Sequence, residues 1–170
     1  MKPIVERAGL LLVVTLLTAC TGETPRWSSL ELEIKQTFPN VEHISLAEYS
    51  SQFQGAVIID VREADEYAVS HLPGAIHVQN LDVLADIADN NEQPLVLYCS
   101  VGYRSASLVQ QLQDLGLDNV YNLQGALFAW ANNGKPLVNE NGSTANVHPY
   151  DSYWGKLLNA DVQTSYKLER

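Results

Sequence analysis

The chain has 170 residues, close to one domain's worth, and its 46% apolar and 18% charged residues allow a buried core and exclude wholesale disorder. Ten Lys and Arg against twenty Asp and Glu give a net charge of −10 with no basic stripe. This argues against nucleic-acid binding and against long-range steering of an anionic substrate. Two cysteines, Cys20 and Cys99, exclude a disulfide scaffold.

Lys2 and Arg7 flank the start of an apolar run over residues 8–17, which ends in Thr18-Ala19-Cys20. A spanning helix needs ~20 apolar residues, and this run has about half that number, the length of a signal-peptide core. A polar stretch over 21–25 follows at once, and no amphipathic period marks a buried helix. Leu17-Thr18-Ala19-Cys20 resembles the lipobox of bacterial lipoproteins. That resemblance implies that residues 1–19 are removed and that Cys20 becomes the lipidated first residue of an exported domain. The domain would be tethered to a bacterial membrane and face the periplasm; Thr21, where an Asp would favour inner-membrane retention, favours the outer membrane. Several acyl chains exceed the single-chain threshold for marginal anchoring. Cys99 would then be a lone thiol in an oxidising compartment, an anomaly that calls for a function.

After a tether over 21–26, Leu30, Ile34 and Phe38 stand at helical spacing and predict a helix over 27–37, ended by Pro39-Asn40. His43-Ile44 reads as a short strand, and Ser45 with Glu48 as a capping box. The apolar run 56–59 predicts a strand buried on both faces. A helix over 63–71 stops at Leu72-Pro73-Gly74, followed by a strand at 76–78 and a helix over 81–88. The run 95–98 is a second fully apolar strand. Leu108, Leu112 and Leu115 place a helix over 105–115, and a strand at 119–123 and a helix over 126–131 complete the series. Alternation of this kind predicts an α/β fold, a parallel sheet with helices on both faces and a ligand site outside the carboxyl ends of the strands. Cys99 stands immediately after such a strand. Residues 139–146 are polar and read as loop; Tyr150, Tyr153, Trp154, Leu157 and Leu158 make the C-terminal stretch too apolar for a free tail.

A nucleophilic thiol must ionise near neutral pH, whereas an ordinary cysteine has a pKa of ~8.5. The loop Cys99-Ser100-Val101-Gly102-Tyr103-Arg104 runs from a strand end to a helix start, whose first N–H groups lack intrahelical partners. Curled into a cradle, those N–H groups and the helix dipole would stabilise a thiolate or an oxyanion. Gly102 would allow a positive φ, and Arg104 would add a permanent charge. An inert core cysteine would need neither residue. The expectation is a thiol that is ionised and open to solvent.

This loop resembles the Cys-x-x-Gly-x-Arg active-site loop of single-domain rhodaneses, the sulfurtransferases. Asp60-Val61-Arg62, Glu66-Tyr67 and His71-Leu72-Pro73-Gly74-Ala75 resemble the family's first signature. Leu123-Gln124-Gly125-Ala126 with Trp130, then Gly134-Lys135-Pro136, resemble its last. The order and spacing hold over 41–138, with Ser70 and Ala126 standing where glycines are frequent. The layout is therefore signal peptide 1–19, lipidated tether and helix 20–40, rhodanese-like domain 41–138 and C-terminal appendage 139–170.

The resemblance implies a five-stranded parallel sheet and a two-step reaction. Cys99 attacks the sulfane sulfur of thiosulfate or a similar small donor, sulfite or its equivalent leaves, and a thiol or cyanide-like acceptor, small or on a protein, takes the sulfur from the persulfide. Neither metal nor organic cofactor is required. Asp60 and Arg62 are expected to be supporting residues, with Arg62 paired to Glu66 or Glu63, and His71 a hydrogen-bonded turn residue rather than a base. Trp130 and Tyr67 read as core, and Tyr103 as the pocket rim. Two other readings compete. A dual-specificity-type phosphatase would need five residues between its Cys and Arg, where this loop has four. A persulfide carrier or protein-binding module without turnover is the alternative to an enzyme.

Overall fold

The computed structural model describes residues 25–167, so the expected leader, Cys20 and the lipobox-like stretch lie outside the described residues. The chain opens with α1 (Trp27–Thr37), β1 (His43–Ile44), α2 (Leu46–Gln52) and β2 (Val57–Asp60). It continues through α3 (Ala64–Val69), β3 (Ile76–His77), α4 (Leu81–Asp89) and β4 (Leu95–Tyr98). The domain closes with α5 (Tyr103–Asp114), β5 (Val120–Leu123) and α6 (Ala126–Asn132). Strands β1 to β5 form one sheet in the order β1-β5-β4-β2-β3, and every pairing is parallel. The predicted five-stranded parallel sheet is therefore present.

All four residues of β4 are buried although their side chains alternate between faces, so the sheet is covered on both. Central placement between β5 and β2 explains the unbroken apolar run. Helix α5 packs back against β4, β5 and α4 through Ala106, Val109 and Leu112. The chain that leaves β4 thus turns at the sheet's carboxyl edge and enters a helix anchored to the same core. The Ser45–Glu48 capping box forms, with the Glu48 N–H donating to Ser45 Oγ at 3.2 Å and the Ser45 N–H to Glu48 Oε2 at 2.8 Å.

Three differences from the sequence expectation exceed one residue. Helix α5 begins at Tyr103, two residues early, because Gly102 takes φ of +101° and caps it directly. Helix α3 is shorter than 63–71: Glu66 reaches back to the Glu63 N–H at 3.1 Å, and Ser70 is extended. The stretch 139–146 is largely a hairpin, with β6 (Leu137–Asn139) antiparallel to β7 (Gly142–Thr144). Asn139 Oδ1 accepts from the Asn141 N–H at 2.9 Å and Gly142 has φ of +110°, which is turn chemistry hidden by a uniformly polar composition. Beyond it lie β8 (Asn146–Val147), a 3-10 turn (Trp154–Leu157) and β9 (Gln163–Thr164), with β8 and β9 parallel.

The two departures from the family pattern behave differently. Ser70 has φ of −169°, extended backbone that any residue adopts. Ala126 has φ of +50°, a conformation costing an L-residue ~1–2 kcal/mol, and its methyl is fully buried. Beside it Gly125, at φ of +71°, leaves no room for a side chain, since a Cβ there would meet the Ala129 Cβ at 2.6 Å. Gly125→Ala should therefore destabilise the domain by ~1–3 kcal/mol in urea denaturation, the usual range for overpacking. An unchanged midpoint would contradict this packing.

Candidate active site

Cys99 follows β4 at the carboxyl edge of the sheet, and only the arc 100–102 separates it from α5. The arc is held by its carbonyls. The Cys99 carbonyl accepts from the Leu127 N–H at 3.1 Å, and that of Ser100 from the Phe128 N–H at 2.9 Å. With its carbonyls tied to the start of α6, the arc turns the Gly102 amide toward the sulfur. The Gly102 N–H donates to Cys99 Sγ at 3.1 Å. Gly102 also lies close to the end of β5, where a Cβ would stand 3.4 Å from the Leu123 carbonyl oxygen, so both backbone and space favour glycine.

Arg104, on the first turn of α5, spans the site. Its Nη1 lies 2.7 Å from Glu66 Oε2 and its Nη2 2.9 Å from Glu66 Oε1, a two-pronged ion pair. Nη2 also donates to Ser100 Oγ at 3.0 Å, and that hydroxyl donates to Glu66 Oε1 at 2.7 Å. Glu66 is nearly buried whereas Arg104 keeps about a third of its side chain exposed (2% and 32%). Sequence reasoning missed Glu66 as a site residue. Its signal was the acid four residues beyond Arg62, read there, together with Glu63, as one of two candidate partners of Arg62.

Arg62 pairs instead with Asp60, from Nε to Oδ1 at 2.9 Å and from Nη2 to Oδ2 at 2.7 Å. Asp60 ends β2 two residues earlier and also accepts the Arg62 N–H at 3.0 Å, so the local turn selects it while Arg104 takes Glu66. Both side chains are fully buried, and Arg62 further donates to the Ser70 carbonyl. This pair fixes the chain between β2 and α3, which carries Glu66 to Arg104. His71 lies outside the Cys99 pocket. Its Nδ1 is 3.1 Å from the Tyr67 carbonyl, its ring stacks on Tyr67 at 3.8 Å, and its backbone bridges Val138. Trp130 is buried, and Tyr67 is partly so.

The thiol is 1% exposed, contrary to the open sulfur expected. It lies at the floor of a cavity of about 160 Å³ walled by Ser100, Val101, Tyr103, Arg104, Tyr150 and Trp154. Tyr103 rims it as expected, with its ring edge-on to Phe38 at 5.2 Å. Tyr150 and Trp154 come from the appendage and line the same cavity as the sulfur.

Burial pushes the Cys99 thiol up, but the Arg104 guanidinium, Ser105 and the Gly102 N–H together outweigh it and leave the pKa below the ordinary value. Ser105 contributes its N–H and, more loosely, its hydroxyl, which is buried and makes no hydrogen bond within ordinary limits. Glu66 is likewise held low: burial raises it, and the hydrogen bonds and charge of Arg104 with the Ser100 hydroxyl more than reverse that. The arrangement favours the ionised form of a sulfur at the end of a pocket, opposite a cation that is itself fixed by a carboxylate.

Residues 45–133 match the family model of the rhodanese-like domain. The chain belongs to this family. Over 78 residues it is 36% identical to the thiosulfate sulfurtransferase GlpE of Pseudomonas fluorescens strain SBW25, a stretch covering 45% of this chain and 72% of that protein. The solved thiosulfate sulfurtransferase of Pseudomonas aeruginosa shares the fold, with a TM-score of 0.55 at 22% identity over 66% of this chain and 23% of that one. The protein hp1203 of Helicobacter pylori 26695 superposes with a TM-score of 0.50 at 29% identity, over 58% of this chain and 90% of that one.

The thiolate fraction grows with pH, so alkylation of Cys99 should speed up as pH rises and level off above its pKa. Removing the cation in Arg104→Ala should move the midpoint of that profile to higher pH. Iodoacetamide rates across pH measure it; an unmoved midpoint would show that Arg104 does not act on the sulfur.

Proposed function

We propose that the protein is a sulfurtransferase that moves a sulfane sulfur from thiosulfate or a similar donor to a thiophilic acceptor through a persulfide on Cys99. The observation that carries this reading is the Cys99 sulfur at the pocket floor, bonded by the Gly102 N–H at 3.1 Å and held below its ordinary pKa beside Arg104. The GlpE relative supports the substrate class. In the first step the thiolate forms a bond to the donor's outer sulfur, and sulfite leaves with the electrons of the broken bond. The persulfide's outer sulfur then projects into the cavity, where a thiol or cyanide-like acceptor attacks it, releasing the Cys99 thiolate. The short arc between Cys99 and α5 suits one sulfur atom or a compact anion better than a phosphoryl group.

Exposure to thiosulfate should add the mass of one sulfur atom to Cys99, detectable by mass spectrometry of the intact chain. Cys99→Ser should abolish both this adduct and steady-state transfer to cyanide while leaving the fold intact. Transfer retained by that variant would sink the mechanism. An adduct formed without turnover would identify a carrier whose partner supplies the second half of the reaction.

We further propose that the domain is exported and lipid-anchored through Cys20 on the periplasmic side of a bacterial membrane. The charged start, the short apolar run and Leu17-Thr18-Ala19-Cys20 support this. Cys20→Ala should shift the protein from the membrane to the soluble fraction after cell lysis; persistent sedimentation with membranes would contradict lipidation.

A further inference from the structure

Two residues of the cavity wall, Tyr150 and Trp154, come from beyond the matched domain, which ends at residue 133. Their positions are built in. The Tyr150 N–H donates to Nδ1 of the buried His148 at 3.1 Å, and φ of +63° swings the Tyr150 ring over Arg104, 5.0 Å from its guanidinium carbon. Asp151 Oδ1 accepts from the N–H groups of both Tyr153 and Trp154 at 2.8 Å, capping the turn that presents Trp154. Leu157, buried, closes the segment onto the domain: its carbonyl accepts from Trp27 Nε1 at 3.1 Å and from Asn132 Nδ2 at 2.8 Å.

Resting on the sulfur-transfer reading, we infer that this aromatic wall selects the donor: a sulfane sulfur carried on an apolar organic group, as in an aryl thiosulfonate, in preference to the bare inorganic dianion. Val101, Tyr103, Tyr150 and Trp154 present carbon to a cavity of about 160 Å³, several times the ~30 Å³ share of one water. Arg104, the cation of that wall, has its charge matched by Glu66 at 2.7 Å and its face covered by Tyr150. A dianion would thus meet a compensated charge on a chain of net charge −10, while an apolar body gains by leaving water against three aromatic rings.

The step balances without an external oxidant. The Cys99 thiolate forms a bond to the donor's terminal sulfur, and the bond from that sulfur to the sulfonyl sulfur breaks. Its electron pair leaves on the sulfinate, so the cysteine sulfur is oxidised, the sulfonyl sulfur is reduced, and the negative charge remains on the outer persulfide sulfur.

The test compares methanethiosulfonate with benzenethiosulfonate on the full chain, with cyanide as acceptor. Both release a sulfinate, so they differ chiefly in the apolar body. The phenyl donor should show about tenfold higher kcat/KM, equivalent to ~1.4 kcal/mol. Trp154→Ala and Tyr150→Asn should each pull that ratio toward one; asparagine tolerates the left-handed backbone at position 150. Circular dichroism checks their folding. Competitive inhibition of the unmodified chain by benzenesulfinate, tighter than by methanesulfinate, gives a readout independent of the variants. Equal efficiency with both donors, equal inhibition by both sulfinates, or a ratio that survives both substitutions in folded protein overturns the inference alone, leaving the aromatic mouth as a surface for a protein acceptor. Persulfide formation from neither donor overturns the sulfur-transfer reading and this inference with it.

Discussion

A thiol at the buried end of a central strand, whose ionised form its surroundings favour, is the constraint around which this domain is arranged. Desolvation opposes its charge, and the free energy that reverses this comes from fixed dipoles and one cation within a few residues of chain. The dipoles are aimed by backbone tied elsewhere: the carbonyls of Cys99 and Ser100 are occupied by the N–H groups of Leu127 and Phe128. Because those partners belong to α6, whose entry requires left-handed backbone at Gly125 and Ala126, the geometry of the sulfur depends on a turn far along the chain. Local strain there supports order at the site.

The cation is arranged in the same manner. An unpaired Arg104 would draw the sulfur anion harder but would sample many rotamers. Glu66 and the Ser100 hydroxyl restrict it to one position, at the expense of part of its field. Glu66 in turn stands on a short helix reached through the buried Asp60–Arg62 pair. Two ion pairs thus have separate tasks: one fixes the chain before α3, and the other links α3 to the Cys99 loop. Removing either member of the inner pair would leave a charge in a poorly solvated place, which is why such pairs are better regarded as positioning devices than as sources of stability.

Much of this was legible in the sequence because the informative residues are contiguous. The apolar run of β4, the leucine spacing of α5 and the Cys99–Gly102–Arg104 interval lie within about twenty residues and define strand, turn and helix together. What could not be read depends on contacts between distant segments. Both Arg62 and Arg104 were available to Glu66, and nothing local reveals that Asp60 satisfies the first, leaving Glu66 to the second 38 residues away. The aromatic C-terminal stretch announced that it would pack, but its composition carries no address; it lines the cavity in which Cys99, expected to be open, is 1% exposed. The 137–144 hairpin escaped because neither strand has a clearly apolar face, so the period-two signal was too weak.

The central claim is that converging amides and Arg104 keep a deeply placed thiol ionised. Thiolate absorbance in the far ultraviolet, titrated across pH on the intact protein and referenced to Cys99→Ser to remove the tyrosines, tests it most directly. The account predicts a Cys99 ionisation midpoint below that of an unstructured cysteine peptide titrated under the same conditions. A midpoint at or above that value would mean that burial wins over the surrounding dipoles, and the account would be wrong.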